Sequence, residues 1–152
     1  MNRALVMVES TEFSRQLVRE AGELAAGVDA DLKLLATMEQ DEYEHDLETM
    51  STIADVEGTA YSPADVKESG RQFARDIART ELEDVDVEYD PLCIVVDDGK
   101  KAQRIVALAE EHDCDHIFIA GQKRSPTGKA IFGDTAQRVI LNFNGAVTVV
   151  TD

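Results

Sequence analysis

The chain has no tryptophan, three prolines, three histidines and two cysteines among 152 residues, and its 15 basic side chains are outnumbered by 31 acidic ones. Each scarcity excludes something. Cys93 stands in an apolar run and Cys114 in a turn, without the spacing of a metal site, so both are expected as reduced structural thiols rather than a disulfide framework. With so few cations, nucleic acid is excluded as a partner, because its binding rests on neutralising phosphates; anionic membranes are disfavoured for the same reason. No apolar stretch approaches the roughly 18 residues of a membrane span, and no basic segment precedes an apolar one at the N-terminus. A cytoplasmic, soluble protein is the expectation. The net charge of -16 with few lysines also suits work in high salt, where screening removes self-repulsion, so a halophilic source is a further expectation.

What is present is the composition of one ordinary domain over residues 1–152. At 43% hydrophobic, it can bury roughly two-thirds of the surface that its unfolded chain exposes. Arg3 to Glu9 opens with a continuous apolar run from Ala4 to Val8, suited to the middle of a parallel sheet. Phe13, Leu17, Ala21, Leu24, Ala25 and Val28 then recur at helical spacing, and Leu32 to Met38 is a second strand, giving a right-handed crossover unit. Glu39 to Glu57 is strongly acidic and longer than an ordinary loop; it reads as a solvated, mobile excursion with some helical pattern, in which His45 is a surface residue. Ser62-Pro63-Ala64-Asp65 has the residues of a helix start, and Val66, Phe73, Ile77 and Leu82 continue that helix. Val85 to Val96 reads as a third strand in which Pro91 suggests an edge position or a bulge, Ala102 to Ala109 as a third helix, and Ile117 to Ala120 as a fourth strand. Phe132, Ala136, Val139 and Ile140 mark the last helix and Ala146 to Val150 the last strand. The alternation implies an α/β fold: one doubly wound, Rossmann-like domain with a five-stranded parallel sheet in the order 3-2-1-4-5 and helices on both faces.

The sequence His112-Asp113-Cys114-Asp115-His116 holds every ligand type that zinc prefers, yet it lies between a helix end and a strand start, opposite the edge where such sheets bind ligands. No metal site is expected there. The chemistry concentrates instead between Ile117 and Val139. Gly121, Gly128 and Gly133 let backbone N–H groups approach an oxyanion, and Lys123, Arg124 and Lys129 place three cations within seven positions of an acidic chain. A helix N-terminus follows, whose dipole favours an anion such as phosphate. The stretch is neither a Walker A loop, since Ala130 follows Lys129, nor a Gly-x-Gly-x-x-Gly turn.

The order strand, glycine, cationic loop, glycine, helix resembles the glycine signature of the universal stress protein family. Gly121 fits its first glycine and Gly133 its third, while Arg124 stands where the second is usual and Asp134, followed by Thr135, replaces the usual hydroxyl residue. The run VESTEFS is similar to the family's first-strand ending. The resemblance implies an adenine nucleotide, ATP or AMP, with or without Mg2+. It places the nucleoside at Glu9 and Thr37, and the phosphates at Ala120, Gly121, Lys123, Arg124, Gly128, Lys129, Gly133, Asp134 and Thr135. Asp134 is there either a competitor for the phosphate site or an oxygen ligand for the divalent cation. It also implies a homodimer, and the nearly all-apolar strand Ala146 to Val150 would itself be an aggregation hazard unless paired. Two readings follow: a stress-response regulatory protein that binds adenine nucleotide, or a nucleotide-free homodimeric interaction protein on the same fold. No nucleophile and base can be paired, so a dedicated enzyme is not expected, with slow ATP hydrolysis left open.

Overall fold

A strand that is apolar on both faces is stable only where both faces are covered, and this condition dictates the architecture. The computed structural model describes residues 1–57, 63–97, 99–121 and 133–151. In chain order the elements are β1 (Arg3–Val8), α1 (Glu12–Gly27), β2 (Asp31–Glu39), α2 (Gln40–Glu57), α3 (Pro63–Glu81), β3 (Tyr89–Val96), α4 (Lys101–Glu111), β4 (His116–Gly121), α5 (Asp134–Asn142) and β5 (Ala146–Thr151). The five strands form one parallel sheet in the order β3-β2-β1-β4-β5, as the alternation implies. Alternate residues of the central strand feed two cores. Leu5 and Met7 join Leu35, Ile105, Ile117 and Val139 under α4 and α5, while Ala4 and Val6 join Leu17, Leu34, Ile77 and Phe118 under α1 and α3.

Two stretches depart from the sequence reading. Residues 40–57 form the helix α2 rather than a loop excursion. Asp41 and Glu42 sit in its first turn, where the helix dipole favours carboxylates, and Gln40 Nε2 donates to Glu44 Oε1 at 3.2 Å one turn on. None of its described side chains is buried, and these end-of-helix and one-turn interactions support it locally. The third strand begins at Tyr89 rather than Val85, because turns closed by Val85 N–H to Leu82 O and Val87 N–H to Val85 O hold the preceding residues. β3 is an edge strand, as Pro91 implied. Pro63 opens α3, while Ser62 lies outside the described residues.

At the amino edge of the sheet, the zinc-like cluster does structural work. Asp115 accepts from the backbone N–H of Asn2 at 2.8 Å and of Arg3 at 3.2 Å, and the His112 carbonyl accepts from Arg3 Nη1 at 2.8 Å. Burial pushes the Asp115 carboxyl up, but those donors and the nearby N-terminus outweigh it and hold the group below its ordinary value. His116 Nε2 meets Thr148 Oγ1 at 2.7 Å and its ring stacks on Phe118, and burial lowers its pKa. Among the described residues, no three candidate ligands are grouped to hold a metal ion, and no helix is long and apolar enough to cross a membrane.

Candidate functional site

Between β1 and β4 the chain order of the sheet reverses, and the helices that come after these strands, α1 and α5, pack on opposite faces. The crevice so formed holds three adjoining cavities. One of about 380 Å3 lies between Glu9, Phe13, Ala120, Gly121, Gly133 and Thr135. A second, about 420 Å3, lies between Glu9, Thr37, Glu42, Gly70, Phe73 and Cys93. A third, about 260 Å3, is bounded by Glu39, Asp97, Asp134, Thr135 and Arg138. Lys101 borders all three.

Glu9 follows β1 and is fixed by the start of α1. Its backbone N–H donates to the buried Ser14 hydroxyl at 2.8 Å, and Ser14 N–H donates to Thr11 Oγ1 at 3.0 Å, the cap of that helix. The Glu9 carboxylate lies 3.5 Å from Lys101 Nζ. Thr37 stands near the carboxyl end of β2, on the second cavity beside Glu9. Gly70 of α3 is packed so closely on Cys93 that an added Cβ would collide with the Sγ atom. Burial pushes the Cys93 thiol up, and that of Cys114 up to about 11, so both stay protonated near neutrality. Both are free cysteines.

At the far side, Gly133 caps α5 with φ 88° and ψ 148°, backbone torsions that a side chain opposes strongly. Among the described residues, no side chain caps this helix end. Asp134 does not occupy it: its carboxylate is 76% exposed and lies 3.4 Å from Arg138 Nε, one turn along. Arg138 in turn donates through Nη1 to the Gly99 carbonyl at 3.0 Å, tying α5 to the turn before α4.

Of the residues singled out in the sequence, Glu9, Ala120, Gly121, Gly133, Asp134 and Thr135 gather on one crevice, and Thr37 adjoins it. Lys123, Arg124, Gly128 and Lys129 lie outside the described residues. Sequence reasoning missed Lys101, Glu42 and Arg138. The available signal for Lys101 was its place: a lysine in the first turn of a helix opposes the dipole, and this one follows the third strand at the ligand edge. Among the described lining residues, Glu9, Glu39, Glu42, Asp97 and Asp134 face only Lys101 and Arg138, so this part of the crevice is acidic.

The family model described as the universal stress protein family matches residues 1–151. No curated protein sequence matches. Among solved structures, a universal stress protein from Archaeoglobus fulgidus is 24% identical, with 98% of each chain covered and a TM-score of 0.64. A universal stress protein from the same organism in complex with dAMP is 18% identical over 98% of this chain and 97% of that one, with a TM-score of 0.62. A universal stress protein in complex with cAMP is 16% identical over 99% and 96%, also at 0.62. At such identities the likeness is one of fold.

Proposed function

Because the chain belongs to the universal stress protein family, we propose that residues 1–152 act as a single regulatory domain that binds an adenine nucleotide, ATP or AMP, in the crevice between β1 and β4. The observation that carries the reading is the start of α5, which no described side chain caps, with Gly133 at φ 88° lining the same cavity as Glu9. Free N–H groups at a helix start favour phosphate, and a carboxylate lining the same cavity can accept from nucleoside hydroxyls. Glu9 and Thr37 hold the nucleoside. Ala120, Gly121, Gly133 and Thr135 surround the phosphates, and Lys123, Arg124, Gly128 and Lys129 add donors and charge from the connecting loop. Asp134, exposed and held among the described residues by Arg138, is available as an oxygen ligand if Mg2+ accompanies the nucleotide. The family relationship and the complexes of similar structures with dAMP and cAMP support the assignment.

The protein works as a homodimer paired through β5, whose outer edge has no strand beside it among the described residues. The five described carboxylates that line the crevice favour the second reading, a nucleotide-free interaction protein, over the first only if they outweigh the cations Lys123, Arg124 and Lys129. Calorimetry decides between them. Titration with AMP or ATP is expected to give saturable heat at micromolar to millimolar ligand, with and without magnesium. Absence of heat at millimolar nucleotide under both conditions removes the first reading and leaves the second.

A further inference from the structure

Lys101 sits where the three cavities of the crevice meet, and its side chain is largely withdrawn from solvent, at 26% exposure. It belongs to the first turn of α4, whose positive end disfavours a cation, and Lys100 at the cap contributes no side-chain bond there. Its position is therefore not explained by the helix that carries it. Nζ lies 3.5 Å from Glu9 Oε1, longer than the 2.7–2.9 Å typical of a strong charge-assisted hydrogen bond. An ammonium has three donors, and one distant carboxylate uses at most one of them. Arg138, the other described cation on the crevice, is already engaged by Asp134 and by the Gly99 carbonyl.

We infer that Lys101 is a ligand-contacting residue that binds the 5′-phosphate nearest the nucleoside and so makes the crevice select nucleotides over nucleosides. The inference rests on the nucleotide reading above. A ligand with its nucleoside against Glu9 and Thr37 and its outer phosphates at the start of α5 must pass the junction of the cavities, and among the described residues Lys101 is the cation at that junction. Without ligand, Lys101 offsets the Glu9 charge; with ligand, its remaining donors meet a phosphate oxygen while Glu9 stays within reach.

The test is calorimetry of the native protein, Lys101→Ala and Lys101→Arg, each with AMP and with adenosine. Loss of one charge-assisted contact is expected to weaken AMP binding by about tenfold in Lys101→Ala while adenosine changes by less than about twofold, and Lys101→Arg is expected to restore most of the AMP affinity. Equal weakening of AMP and adenosine overturns the inference, because Lys101 then acts only through Glu9. Unchanged AMP affinity in Lys101→Ala overturns it too, with the nucleotide reading intact. A native protein that binds neither ligand overturns both.

Discussion

Single residues decide whether the start of α5 is a ligand cradle or merely a helix end. Gly133 has to be glycine, since its torsions, φ 88° and ψ 148°, lie where a Cβ is strongly opposed. Gly133→Ala is therefore expected to destabilise the fold by about 1–3 kcal/mol in urea unfolding and to weaken nucleotide binding, because relief of the strain would turn the helix start away. Full stability with full binding would show that the cradle does not depend on this geometry. Gly133 was legible from the sequence as a residue type at a strand-loop-helix junction. The conduct of Asp134 was not. A carboxylate in the first turn is equally suited to cap its own helix or to pair one turn along, and only the position of Arg138 selects the second. Lys101 was hidden for a related reason: periodicity ranks residues by burial, and a lysine at the head of an amphipathic helix carries no periodic mark.

At the scale of elements, the buried strands were readable because continuous apolar runs in an α/β alternation have few other solutions, and Pro91, which suggested an edge or a bulge, lies in β3 at the edge of the sheet. The helix α2 was not readable by the same means. Its described side chains are all at least partly exposed, so the apolar stripe by which helices are recognised is weak, and the acidic composition points equally to a solvated loop. Glu42 in its first turn nevertheless borders the crevice, next to Glu39 at the end of β2, so an element that the sequence left as an excursion forms part of the wall. The other edge of the sheet, β5, is where pairing between copies is proposed. Ala146 N–H donates to Asp115 O on the β4 side at 3.2 Å, and N–H groups alternate along a strand, so those of Val147 and Val149 face the free edge. Val149→Pro removes one outward donor without breaking a bond to β4. Sedimentation is expected to show a dimer for the native chain and a shift toward monomer for this variant, with the circular dichroism of the fold retained. A variant that stays dimeric would place the interface elsewhere.

For the molecule as a whole, the fold follows from the sequence more directly than the site does. The order β3-β2-β1-β4-β5 puts the carboxyl ends of β1 and β4 side by side, and that reversal alone locates a crevice. What fills the crevice depends on a balance of charge that no pattern of apolar residues encodes: a chain of net charge -16 must hold an anion beside five carboxylates. The account requires that backbone donors and a few cations win that contest locally, where they stand within contact distance while most of the acidic surface is screened.

The most direct measurement is a map of backbone amide shifts by heteronuclear NMR as ATP is added. The account predicts saturable shifts concentrated at Gly121, at Gly133 to Thr135 and at Glu9 and its neighbours after β1, with little change along the amino edge around Asp115. Shifts that stay absent at millimolar ATP, or that gather away from the β1–β4 crevice, would contradict it.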